Sequence, residues 1–261
     1  MEALQQHILC STEPVKAKID QFINLQPEKR QRLEFCVRLP IDVATELTCR
    51  INLLSPRGLP NNTVDRLVAS ISTRYIFDLL ANVSVMLNTE PEQKRNTLQD
   101  RWINLRDMII VSDGTYRMPL ESLPPEFSKR LEKKKEFKSA KWPKYDQSAG
   151  KEKLVDSISV SNQAFLFEDP WGLSMAKKLE FIPTSAPEVF LDRWKMYSYI
   201  AHASAFSLWP TWMYPVLIHD AIQSLSLLIK VVGRFIDYEF DSKSFMEKAW
   251  LHIEEDQKRT R

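Results

Sequence analysis

The stretch RLEFCVRLP, residues 32–40, alternates without a break. Leu33, Phe35, Val37 and Leu39 take one side of an extended chain, while Arg32, Glu34, Cys36 and Arg38 take the other, the period-two pattern of a half-buried strand. The fifty or so residues that follow read as helix. A lone strand leaves backbone N–H and C=O groups unpaired along both edges, so this one calls for a partner strand.

Working outward, 261 residues with 44% hydrophobic content are enough for a full core of one or two domains. The formal net charge of +2 makes attraction to polyanions a matter of local distribution. Three cysteines, Cys10, Cys36 and Cys49, form no C-x-x-C pair, and their odd number is a poor disulfide framework, so a reducing cytoplasmic setting is expected. The opening MEALQQHILC carries an early Glu and no long apolar core, so no signal peptide is expected. The richest apolar region, residues 206–236, is interrupted by Pro210, Pro215, His219, Asp220, Lys230 and Arg234; no membrane span is expected there, since spanning takes roughly 20 mostly apolar residues.

Residues 1–30 read as a helical arm, with a candidate cap at Ser11 or Thr12 and a break at Pro27. From Ile41 to Leu54 the apolar positions Val43, Leu47, Ile51 and Leu54 recur at helical spacing, and Ser55–Pro60 supplies breakers. A second helix starts near Asn61 or Asn62 and runs through Val64, Leu67, Val68, Ile71, Tyr75 and Leu79 toward Leu87. Residues 31–88 form one expected domain, 89–150 a helical and basic connection, and 151–261 a domain passing from α+β to helix. The connection holds eight Lys or Arg between Lys129 and Lys144 against Glu132 and Glu136, a surplus of six. Such a run is either a solvated helix face or a phosphate-contacting patch centred on Lys133, Lys134, Lys135 and Lys138. Residues 157–172 suggest one or two short strands. Ile218, Ile222, Leu225, Ile229, Val232 and Ile236, spaced 4, 3, 4, 3, 4, define a helical seam that must pack against another helix.

Catalytic signals are weak. His7, His202, His219 and His252 are scattered without metal-ligand spacing. The dipeptide His219-Asp220 occurs in some metal-dependent phosphohydrolases, but the further ligands such sites need are missing from the pattern. Five glycines form neither a phosphate-cradling loop nor a nucleophile elbow. No enzyme activity, cofactor or metal is expected.

A strand with one apolar face, a proline at its end, a helix, a glycine-containing turn and a second helix resemble the ribbon-helix-helix DNA-binding fold, on FCVRLP-x-DV (residues 35–43) and the second helix start. The resemblance implies that two subunits each give one strand, and that the paired ribbon lies in the DNA major groove. Arg32, Glu34, Cys36 and Arg38 would then read bases, and Asn61, Asn62 and Thr63 would offer backbone N–H groups to a phosphate. Phe35, Val37 and Leu39 would fill the shared dimer core with Val43, Leu47, Leu67 and Ile71. Charge pairing across the two-fold axis favours Cys36 on the dyad, with Glu34 opposite Arg38 of the second copy. The C-terminal part, including FLFEDPWGLSMAKKL, is similar to AcaB-type regulators of conjugative plasmids and integrating conjugative elements. That likeness implies a bacterial, nucleoid-associated activator of transfer genes, acting on double-stranded DNA as a homodimer.

The expected architecture is therefore mainly α with few β-strands, a ribbon-helix-helix core carrying a helical C-terminal extension. The competing expectation is a non-enzymatic interaction or scaffold protein that uses the C-terminal helical seam.

Overall fold

Burial along residues 33–52 follows a helix, and the ribbon does not form. The computed structural model describes residues 2–54, 63–96, 98–99, 102, 143–146, 151–154, 173–184, 186–201 and 214–258. Within it, helix α2 (Arg30–Leu33), a π-helical turn (Glu34–Arg38) and α3 (Leu39–Leu54) run on without a break. Leu33, Cys36, Val37, Pro40, Ile41 and Ala44 are buried, a stripe of period 3.6, whereas Leu39 is 46% exposed. The physical reason is size and position. Cys36 packs as a small hydrophobe, and Pro40 stands in the first turn of α3, directly after the π-helical turn. A proline ring crowds the carbonyl four residues back. Here the widened turn lies just upstream, with the Leu39 N–H bonded to the Glu34 carbonyl five residues back.

The ribbon-helix-helix core is thus corrected to a helical one, and the ribbon's dimer core of Phe35, Val37 and Leu39 falls with it. Cys36 is buried inside its own chain and does not sit on a dyad. Among the described residues the strands are β1 (Pro143–Asp146) and β2 (Lys151–Leu154), an antiparallel pair with Pro143 opposite Leu154 and Asp146 opposite Lys151. They lie far along the chain from residues 32–40. The strands expected in 157–172 fall outside the described residues, as do Asn61, Asn62 and the basic stretch up to residue 142.

The chain divides into two compact units, one of residues 1–100 and 173–261 and one of residues 101–172 that contains the β1–β2 pair. In the first unit, α1 (Glu2–Asn24) buries Leu4, Ile8, Thr12, Val15, Ile19 and Ile23. Thr12 is therefore interior to the helix, not a cap, and its hydroxyl donates to the Leu9 carbonyl. Helix α4 (Thr63–Asn88) is the central element. It packs on α3 and on three helices from the other end of the chain, α5 (Met175–Leu179), α6 (Pro187–Ala201) and, most extensively, α7 (Tyr214–Phe235). Helix α8 (Ser242–Lys258) closes the unit against α7 and α1.

Two matching seams explain this arrangement. Ala69, Thr73, Ile76, Leu80, Val83 and Leu87 on α4 repeat at 4, 3, 4, 3, 4 and are all buried. The α7 residues Ile218, Ile222, Leu225, Ile229 and Val232, with Ile236 just beyond its end, repeat the same spacing and are buried too. Three buried threonines are satisfied locally: the hydroxyls of Thr45, Thr48 and Thr73 donate to the carbonyls of Ile41, Ala44 and Ala69. Helix α7 ends in a tight return. The Gly233 carbonyl accepts the Tyr238 N–H at 2.8 Å, Asp237 takes a positive φ of 55°, and a Cβ on Gly233 would lie 2.6 Å from the Tyr238 carbonyl oxygen. Among the described residues no helix is long and apolar enough to cross a membrane.

Candidate functional site on the outer face of α4

The first half of α4 has a second apolar run, on the side away from its seam. Val64, Val68, Ile71 and Tyr75 are 67%, 42%, 43% and 51% exposed. Their spacing of 4, 3, 4 places them in one line along the helix. Leu67 flanks the line half-buried. Scattered exposed apolar residues are ordinary, but four large ones in register on a well-packed helix form a contiguous patch of the kind that marks a docking face.

A polar cluster fixes one edge of this line. Arg74 and Asp78 stand three residues after Ile71 and Tyr75, hence on the neighbouring side of the helix. The Trp194 indole N–H on α6 donates to Asp78 at 2.8 Å, and the Arg74 guanidinium lies 5.5 Å over the Trp194 ring. One turn further, Lys178 of α5 donates to the Asn82 side chain at 2.8 Å. Burial pushes the Asp78 carboxyl above its ordinary value, against the opposing pull of the Trp194 bond, Arg74 and Lys178. These contacts tie α4 to α5 and α6 at the Tyr75 end of the apolar line.

The other titratable clusters bind helices to one another. The buried Tyr197 hydroxyl on α6 donates to Asp220 of α7 at 2.5 Å, with Arg193 3.7 Å and His219 3.6 Å from the same carboxylate. Burial, and then the Asp220 charge, hold the Tyr197 hydroxyl well above the usual tyrosine range, so it stays a donor and not a base. His219-Asp220 accordingly belongs to a helix-helix clip. Among the described residues no three His, Cys, Asp or Glu side chains stand together as metal ligands.

The residues expected to read DNA are placed as follows. Glu34 is paired with Arg30 at 2.9 Å. Arg38 lies among acids, 2.7 Å from Asp42 and 2.8 Å from Asp20, and also donates to the Lys16 carbonyl at 3.1 Å. Burial works against the Arg38 charge, yet these bonds outweigh it and hold the guanidinium above its ordinary range. Arg32 is half-buried on α2, Cys36 and Val37 are buried, Phe35 is half-buried, and Thr63 opens α4. Arg32 to Arg38 thus wind around a helix and present no common row. Asn61, Asn62, Lys133, Lys134, Lys135 and Lys138 lie outside the described residues.

The outer line of α4 stands among the apolar helix positions of the sequence, of which only Ile71 and the flanking Leu67 are expected in a core, the ribbon's shared one; Trp194 and Lys178 give no local signal, because each meets α4 across about a hundred residues of chain. Comparison with protein-family models, with curated proteins and with solved structures finds no match to this chain.

Proposed function

We propose that the chain is a non-enzymatic helical interaction protein that pairs with a second copy of itself through the outer face of α4. The observation that carries this reading is the exposed line Val64, Val68, Ile71 and Tyr75. Its spacing is the same read from either end. An antiparallel two-fold pairing therefore sets Val64 against Tyr75 and Val68 against Ile71 of the second copy, the self-complementarity that an isologous interface requires. The C-terminal seam is buried in the same chain, on a helix that packs most extensively on α4, so the exposed apolar face is that of α4. The thiols of Cys10, Cys36 and Cys49, which form no disulfide, fit a cytoplasmic setting.

One helix pair covers less than the roughly 1,600 Å² of a standard interface. Its affinity should be micromolar, about −8 kcal/mol. Sedimentation equilibrium tests this directly. The wild-type chain is expected to pass from monomer to dimer between about 1 and 100 μM, while the double variant Val68→Asp, Ile71→Asp stays monomeric with an unchanged circular dichroism spectrum. A wild type that stays monomeric throughout, or a variant that dimerises equally well, overturns the proposal.

A second reading, a DNA-binding transcriptional regulator, is favoured by the six-charge surplus at residues 129–144. In that reading Lys133, Lys134, Lys135 and Lys138 contact phosphates without a ribbon in the groove. Log affinity should then fall linearly with log salt, and replacing the four lysines should flatten that slope by about 0.9 per lost contact. No retardation of duplex DNA at low salt would remove this reading.

A further inference from the structure

The two terminal helices of the first unit meet through imidazoles. His7 of α1 stacks on Phe245 of α8, with ring centroids 5.2 Å apart, and its Nε2 lies 3.0 Å from the Phe245 carbonyl oxygen. A carbonyl only accepts, so Nε2 carries the hydrogen. Nδ1 then keeps its lone pair, facing the Ser11 hydroxyl at 3.4 Å. The His252 ring of α8 stands 5.7 Å from the His7 ring, and its buried Nδ1 has no hydrogen-bond partner.

We propose that His7 is an acid-sensitive latch that holds α8 on α1 while its imidazole is neutral and loosens α8, ahead of the remaining helices, when it gains a proton. The new proton would go on Nδ1, in a partly desolvated position. The titratable groups acting on His7 are His252 and Lys248 of α8, both disfavouring a cation on the His7 ring. Glu255, the carboxylate on α8 nearest the pair, stands 3.9 Å from His252 instead. Helices α3 and α7 also pack on α1, and among the described residues the groups that shift His7 all lie on α8. His219 of α7 faces α8 as well, edge-on to Trp250 at 5.4 Å, with the Asp220 carboxylate 3.6 Å away.

Burial, first, and then electrostatic repulsion from His252 and Lys248 hold His7 below the ordinary imidazole value of 6.5, against the favourable Phe245 bond. Because the folded chain prefers the neutral ring, the latch contributes its full stability above pH 6.5 and loses it as pH falls below that value toward the folded one. Helix α8 responds first because, among the described elements, its packing is mainly on α7 and α1.

Amide hydrogen exchange on the full chain, corrected for the intrinsic pH dependence of exchange, tests the latch between pH values of about 7.5 and 5.5. Amides of α8 are expected to lose about threefold or more of their protection, while those of α4 and α7 hold theirs. His7→Gln, whose amide can still donate to the Phe245 carbonyl, should abolish the change. Proton NMR of the wild-type imidazoles gives an independent reading should that variant fail to fold, with His7 titrating below 6.5. A His7 titration at or above 6.5, protection lost equally in all helices, or the same α8 response in His7→Gln overturns the latch.

Discussion

Helices α4 and α7 each carry large apolar residues at four-three-four spacing, and the outer run of α4 has a different fate from the run on α7. Ile218, Ile222, Leu225, Ile229, Val232 and Ile236 are at most 5% exposed; Val64, Val68, Ile71 and Tyr75 are at least 42% exposed. Fully burying such a side chain contributes roughly 1.5–3 kcal/mol, so the difference needs a cause. It lies on the opposite side of α4, where a second seam begins with Ala69 and Thr73. Short side chains let neighbouring helices approach closely, and the Thr73 hydroxyl is already satisfied by the Ala69 carbonyl. Spacing shows that a helix has a seam; the size of the residues facing it decides which of two seams the core takes.

The comparison breaks most readily at α7. Leu225→Ala should cost about 2–5 kcal/mol, because the cavity would open between α7 and its neighbours. Urea unfolding monitored by circular dichroism gives the value, and a loss under 1 kcal/mol would mean that α7 is not a core helix. A smaller effect is expected at the clip beside it. Tyr197→Phe removes the hydroxyl that Asp220 accepts from and leaves a buried carboxylate short of a donor, a loss of roughly 1.5–3 kcal/mol for a bond to a charged group. An unchanged unfolding midpoint would show that Arg193 or water replaces the bond. The smallest effect belongs to the outer run, where Val68→Ala should stay within about 0.5 kcal/mol at concentrations too low for association. Were it to match Leu225→Ala, the outer face of α4 would be core and not a docking surface.

Residues 32–40 show why part of this was legible and part was not. Nine residues are too few to separate a period of two from one of 3.6 when Leu33 and Val37 satisfy both. The deciding positions lie beyond the stretch, at Ile41 and Ala44, and inside it at Cys36, which was placed among the outward residues although a thiol buries readily. Pro40 read as the end of a strand when it stands in the first turn of α3. The α7 seam was readable because β-branched and leucine side chains carry it from end to end. The inner seam of α4 was not, since Ala69 and Thr73 count as weak apolar signals beside Val68 and Ile71. Spacing alone therefore does not separate the outer run from the inner seam, and the candidate site stays hidden with it. The Trp194–Asp78 and Tyr197–Asp220 contacts join separate helices, and no local pattern reports such pairs.

The interruption of the first unit by residues 101–172 also sets a timetable for its synthesis. Helix α4 ends at residue 88 and α7 at residue 235. At about 5–20 residues per second, a ribosome needs roughly 7–30 s to pass from one to the other. For that interval the inner seam of α4 waits for the helix that covers it, far longer than the microseconds in which a helix forms. A nascent chain paused within the inserted unit therefore presents Ile76, Leu80, Val83 and Leu87 as a ready site for a chaperone or for another chain at the same stage.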